Sequence, residues 1–160
     1  MSATDCKDES KVAKKLSDKI TVDAVKICKE LDIKIVDFDN MNGNCGGYSF
    51  KDERKIAINP AFTQANDVMM STLFHEIAHA LLHTKDRKDV NTNKGCREVE
   101  AELTSFLVCA SLSKDFNADT SIGYIKNWLK VANNKLTDEM SKHVMDTANN
   151  ILKAIKKTSK

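Results

Sequence analysis

Three residues near the middle of the chain have the types and spacing needed to bind a metal ion and activate water. His75 and His79 stand four apart, and Glu76 directly follows the first of them. On a helix, side chains four apart project from one face, about one turn from each other. Two imidazoles at this spacing can bind one tetrahedral Zn²⁺. A glutamate beside the first histidine can act as general base toward a water molecule at the ion.

The residues around this motif predict a buried helix. Between residues 66 and 82 there is no glycine or proline, and apolar residues recur with the helical period. They are Met70, Phe74, Ile77 and Leu81 on one stripe, with Met69, Leu73 and Ala80 on a second. A helix that is apolar on most sides is buried, and buried imidazoles and carboxylates need partners. A metal ion is one such partner, and hydrogen bonds within the core are the alternative.

A second stretch supplies candidates for a third metal ligand. Residues 97–112 also have helical periodicity, and they include Glu98, Glu100 and Glu102. At about 100° per residue, Glu98 and Glu102 share a strip that is flanked by apolar residues, whereas Glu100 falls on the opposite side. We therefore expect Glu98 and Glu102 to point into the protein and Glu100 to be a solvated surface charge.

His83 and Cys96 are weaker candidates for metal binding. On a straight helix His83 lies about 12 Å from His75, too far for both to bind one ion at about 2 Å. Metallopeptidases that take a third histidine from just after this motif break the helix with a glycine first, and residues 80–82 are Ala-Leu-Leu. We expect His83 to be structural or to support a ligand. Cys96 lies two residues before Glu98, and side chains two apart on a helix do not share a face.

These stretches resemble the ImmA/IrrE group of gluzincin metallopeptidases. The resemblance rests on His-Glu-Ile-Ala-His-Ala-Leu-Leu-His at 75–83 and on Glu-Val-Glu-Ala-Glu-Leu-Thr-Ser-Phe-Leu at 98–107. The second stretch, with Tyr-Ile-Lys-Asn-Trp-Leu at 124–129, is still more similar to the peptidase domain of ArdC-like antirestriction proteins. Residues 47–50 and 55–60 are similar to the paired strands that precede the active-site helix in that group.

The resemblance implies specific roles. It makes His75, His79 and Glu98 the metal ligands, Glu76 the general base, and Glu102 an acid that supports a ligand. It implies one Zn²⁺ per chain. It also implies a protein substrate in the cytosol, with a transcriptional repressor or a restriction-related target of a mobile element as candidates. ArdC-like proteins carry an N-terminal single-stranded-DNA-binding domain, for which we expect no room in this chain.

A second interpretation comes from a different functional class. In it the protein is a non-catalytic, metal-containing regulator or antirestriction module that binds a repressor, a nuclease or DNA. Glu76 favours catalysis, because a structural site needs no general base. Structural zinc sites also usually have four Cys or His ligands, and the five cysteines are scattered. A peptidase needs an oxyanion stabiliser, and Tyr48, Tyr124 and His143 remain open as donors.

Composition predicts an ordinary globular protein. The 160 residues are 41% hydrophobic and 30% charged, and the net charge of +2 gives no general argument for a nucleic-acid partner. No apolar run reaches about 18 residues, so we expect no membrane contact. The charged N-terminus does not read as a secretory signal. Five cysteines without a Cys-x-x-Cys pair indicate a reducing compartment. We therefore predict a cytoplasmic protein, and its oligomeric state stays open.

The predicted elements form an α+β fold of zincin type. We expect a small, mainly antiparallel sheet packed against a helical cluster that carries the His-Glu-x-x-His helix. Residues 1–9 are predicted to be disordered, and residues 10–160 to form a single domain. The predicted elements outside the two motif helices are a helical region at 11–31 with Thr21 as candidate N-cap, a strand at 34–38, a hairpin of 47–50 with 55–59, a loop at 85–95, and helices at 121–133 and 137–157.

Overall fold

The protein has the predicted α+β architecture. The structure is a computed structural model that describes residues 22–38, 47–50, 53–59, 70–84, 93–112 and 138–159. Its helices and strands, in chain order, are α1 (Ala24–Glu30), β1 (Lys34–Val36), β2 (Gly47–Ser49), β3 (Lys55–Ile58), α2 (Met70–Leu82), α3 (Lys94–Leu112) and α4 (Asp138–Thr158). The predictions for residues 1–21 and 121–133, which include Tyr124, lie outside the described residues.

The three described strands form a mixed sheet in the order β1-β3-β2. β2 and β3 pair antiparallel, with Tyr48 opposite Ala57, as the hairpin prediction requires. β1 pairs parallel with β3, with Ile35 opposite Ile56. The antiparallel character expected from the sequence therefore holds for the hairpin, and β1 adds a parallel neighbour on its other side.

Helix α1 begins later than predicted. Its N-cap is Asp23 and not Thr21. The Asp23 carboxylate accepts a hydrogen bond from the backbone N–H of Lys26 at 3.1 Å, which satisfies one of the N–H groups left open at a helix start. Asp23 immediately precedes the first helical residue, Ala24, and its carboxylate therefore reaches the first turn of the helix.

Helix α2 lies at the centre of the described structure. Residues 71–80 are all buried, which confirms the prediction of a buried helix. Its larger apolar side chains belong to the main core cluster, together with residues of α1, β3, α3 and α4. The members from α2 are Leu73, Phe74, Ile77 and Ala80. The motif histidines are therefore presented inside the protein.

A glycine in β2 lies where the chain is crowded by both β3 and α2. A Cβ atom added at Gly47 would lie 2.8 Å from the Ala57 carbonyl oxygen, 2.8 Å from Ile58 Cδ1 and 3.3 Å from Thr72 Cγ2. Thr72 belongs to α2, one turn before Glu76. The absence of a side chain at Gly47 thus lets β2 pack closely against β3, and it leaves room for Thr72 of the helix that carries the motif.

Helices α3 and α4 complete the described packing. α3 begins at Lys94, three residues before its predicted start, because the Asn93 side chain accepts a hydrogen bond from the Cys96 backbone N–H at 3.1 Å. The Ser105 hydroxyl donates to the Ser71 carbonyl oxygen at 2.8 Å and joins α3 to α2. α4 matches the helix predicted at 137–157 to within one residue at each end. None of the helices in the described ranges is both long and apolar enough to span a bilayer.

Candidate metal centre

Two neighbouring helices bring three candidate ligands together. His75 and His79 come from α2 and Glu98 comes from α3, and each offers one ligand atom that lies within 4.8 Å of the other two. All three side chains are buried. Glu102 lies beside His75 of α2, whereas Glu98 contacts His79, which is one turn later in that helix. The two helices therefore pack antiparallel, and this direction lets Glu98 and Glu102 reach successive turns of α2.

The distances between these atoms suit a single ion. The Nε2 atoms of His75 and His79 are 3.1 Å apart. Glu98 Oε2 is 2.5 Å from His79 Nε2, and Glu98 Oε1 is 3.6 Å from His75 Nε2. Two ligand atoms at about 2.0–2.1 Å from a tetrahedral zinc ion are roughly 3.3 Å from each other. The two imidazole nitrogens are therefore spaced as ligands of one ion would be.

The Glu98 carboxylate supplies a direct test of whether a metal fits. Its Oε1 atom is buried and accepts no hydrogen bond from the described residues. A buried carboxylate oxygen without a hydrogen bond is costly unless a cation compensates it. Two imidazoles and a carboxylate are also a ligand set typical of zinc sites that keep a fourth position open. The residues present fit a zinc ion.

The electrostatics of the cluster favour a positive charge at its centre. Burial by itself would lower the pKa of His75, but the hydrogen bond to Glu102 and the nearby Glu98 and Glu76 carboxylates outweigh it and raise this pKa to about 10. Burial would raise the pKa of Glu98, yet the charge of His79 and the close approach of both histidine rings hold it well below its usual range. The carboxylates therefore stabilise a cation at this point.

Glu102 lies behind the first ligand. Its Oε1 atom is 2.9 Å from His75 Nδ1, and both side chains are fully buried. When Nε2 binds a metal, Nδ1 carries the proton and donates it in a hydrogen bond, so a carboxylate at this place fixes the ring. The prediction that Glu98 and Glu102 both point into the protein is therefore confirmed.

Glu100 contradicts the expectation that it points to water. It is only 3% exposed, and its Oε1 atom is 3.1 Å from His83 Nε2. The wheel separates Glu100 from Glu98, yet its carboxylate contacts His83, which follows the ligand histidines in the chain. Because α3 packs against both α2 and α4, a position outside the ligand strip can still be inside the protein. Burial, together with the charge of the neighbouring His79, lowers the pKa of His83 well below its usual range.

The proposed general base lies inside the same cluster. Glu76 is fully buried, and its negative charge contributes to the raised pKa of the neighbouring His75. Its position, directly after the first ligand on α2, follows from the sequence. Its role as a base remains a prediction.

Three further candidates, Cys96, Tyr48 and His143, belong to the described residues. Cys96 is buried in a separate cluster with Val99 and Met140 and is not among the grouped ligands. The Tyr48 ring lies between Phe38 and Phe50, with centroids 5.6 and 5.7 Å away, so it contributes to sheet packing. His143 is half-buried on α4. The choice of oxyanion stabiliser therefore stays open.

The contact between His83 and Glu100 was missed by sequence reasoning. One signal was present: His83 follows His79 by four residues, so it shares the strip of the ligand histidines. A third buried histidine on that strip needs a hydrogen-bond partner, and Glu100 was the remaining carboxylate of the paired helix.

A His-Glu-x-x-His helix with a glutamate from the next helix defines a zincin-type metal centre. The chain belongs to the zincin-like metallopeptidase family, whose family model matches residues 40–142. It is also similar to an uncharacterized protein of Bacillus anthracis, with 33% identity over 106 residues. That match covers 64% of this chain and 17% of the relative, so this chain spans a small part of the relative's length. No solved structure matches the chain significantly.

Proposed function

We propose that the protein is a gluzincin-type zinc peptidase, in which His75, His79 and Glu98 bind the ion and Glu76 is the general base. The observation that carries the proposal is the convergence of three buried ligand atoms, all within 4.8 Å of one another. Two of them belong to α2, the helix that also carries Glu76. Membership of the zincin-like metallopeptidase family supports zinc as the metal and a protein as the substrate.

The chemistry is divided between the ion and the chain. When bound, a zinc ion polarises a peptide carbonyl and lowers the pKa of water. Glu76 takes a proton from the attacking water and returns it to the amine that leaves. Glu102 holds the His75 ring through Nδ1, at 2.9 Å. Burial of the cluster excludes bulk water and strengthens each of these electrostatic contacts.

We propose a cytoplasmic regulatory protein as the substrate, with a DNA-binding repressor or a restriction-related protein as the specific candidates. The support is the resemblance of residues 75–83 and 98–107 to ImmA/IrrE-type and ArdC-like peptidases. A peptidase acting on such targets would be selective and would cut at one or a few sites.

The Glu76→Gln variant tests the proposal. The amide cannot act as a base but keeps the size of the side chain, so zinc content and folding should stay near those of the unaltered protein. Cleavage of a candidate repressor should fall by about 10²–10⁴-fold or more. Cleavage is followed by mass spectrometry of the products, with a chelator-treated sample as control. If Glu76→Gln retains full biological effect in cells, a non-catalytic regulator becomes the better description.

A further inference from the structure

We infer that His83 and Glu100 form a positioning pair that fixes the ring and the tautomer of the ligand His79. This inference rests on the proposed zinc site and deepens it. Neither residue belongs to the group of converging ligand atoms. They act on that group through the far side of the His79 ring.

The pair continues a chain of buried contacts away from the centre. His79 Nδ1 is 2.9 Å from His83 Nδ1, and His83 Nε2 is 3.1 Å from Glu100 Oε1. His83 is 6% exposed and Glu100 is 3% exposed. Water therefore has little access to either contact, and the groups must satisfy one another.

The Glu100 carboxylate, at the end of this chain of contacts, determines which atom donates in each hydrogen bond. An ionised carboxylate only accepts hydrogen bonds, and a neutral imidazole has one N–H and one lone pair. Glu100 therefore requires the proton of His83 on Nε2, which leaves a lone pair on His83 Nδ1. That lone pair accepts from His79 Nδ1–H, so a His79 ring that binds zinc has its lone pair on Nε2. This is the atom that faces Glu98 at 2.5 Å and His75 at 3.1 Å.

The arrangement gives both ligand histidines a carboxylate from α3. Glu102 contacts His75 directly at 2.9 Å, whereas Glu100 acts on His79 through the His83 ring. A bound histidine needs its second nitrogen held by an acceptor, and loss of such an acceptor typically weakens metal binding about 10–100-fold. The His83–Glu100 pair fills this role for the second ligand.

Zinc affinity of three variants tests the inference. His83→Leu removes the acceptor for His79. His83→Asn retains an acceptor, because the Asn Oδ1 atom occupies nearly the place of the His Nδ1 atom. Ser105→Ala is the matched control: it removes another buried contact between α2 and α3, the hydrogen bond to the Ser71 carbonyl, without touching the ligands. Affinity is measured by competition with a chromophoric chelator, and folding of the metal-free protein by circular dichroism.

We expect His83→Leu to bind zinc about 10–100-fold more weakly and His83→Asn and Ser105→Ala to bind it within about threefold of the unaltered protein. Equal affinities of His83→Leu and His83→Asn would overturn the inference. If His83→Leu does not fold, ring ¹⁵N shifts of the unaltered zinc-loaded protein decide. His83 should be protonated at Nε2 and unprotonated at Nδ1, and the reverse would overturn the inference. An unaltered protein that binds no zinc would instead refute the proposed function.

Discussion

The two ligand histidines differ in what lies behind each ring. His75 contacts the Glu102 carboxylate directly, whereas His79 contacts the neutral ring of His83. The carboxylates around His75 raise its pKa to about 10, against the effect of burial. A proton on this ring therefore competes with a metal ion over the whole physiological pH range.

The pH dependence of zinc binding follows from this competition. Because the pKa of His75 is raised, a metal-free protein holds this proton until the pH approaches 10, and zinc must displace it. The apparent zinc affinity should therefore rise with pH between about 6 and 9, by up to about tenfold per unit for one released proton. Chelator competition at several pH values measures it. An affinity that stays constant over this interval would contradict the raised pKa.

At the scale of elements, the tight packing of β2 around Gly47 gives a stability prediction. An alanine at position 47 would put its Cβ 2.8 Å from the Ala57 carbonyl oxygen, so the backbone must move. We expect Gly47→Ala to lower the free energy of unfolding by about 1–3 kcal/mol, as overpacking of a core does. Denaturant unfolding measures the loss, with Val25→Ala as a control at an exposed position that should change stability by less than about 0.5 kcal/mol. Equal stabilities of the two variants would show that β2 is not tightly packed at Gly47.

The elements with the strongest sequence patterns were the ones predicted well. The apolar stripes of α2 marked that helix, and alternation between turn residues marked the β2–β3 hairpin. The parallel pairing of β1 could not be predicted, because the residues of a short strand do not determine which other strand it pairs with. The helices that begin at Ala24 and Lys94 are each capped by a single side chain, Asp23 and Asn93 respectively. Neighbouring polar residues are also of a type that caps helices, so the exact start could not be predicted from the sequence.

Within the site, residues that share one face of a helix were easier to predict than residues whose burial depends on how the helices pack. The spacing of His75 and His79 and the inward strip of Glu98 and Glu102 follow from helical geometry alone. The burial of Glu100 does not, because it depends on how α3 packs against its neighbours. A helical wheel shows which residues share a face, and only the tertiary packing shows whether the opposite face meets solvent.

At the scale of the whole molecule, the metal should hold α2 and α3 together. Its proposed ligands come from both helices, and a ligand that binds only the folded state stabilises it by about 2.7 kcal/mol at 100 times its dissociation constant. Removal of zinc by a chelator should therefore lower the unfolding midpoint, and added zinc should restore it. Circular dichroism during thermal unfolding measures both changes. In Glu98→Ala, which lacks one ligand, the chelator should have a much smaller effect.

The metal content of the purified protein tests the central claim most directly. Elemental analysis should find one zinc ion per chain in the unaltered protein and in Glu76→Gln, because Glu76 is not a ligand. Occupancy should be lowest in Glu98→Ala and intermediate in Glu100→Ala, which acts on His79 only through His83. A well-folded, unaltered protein that contains no zinc and takes up none would contradict the account.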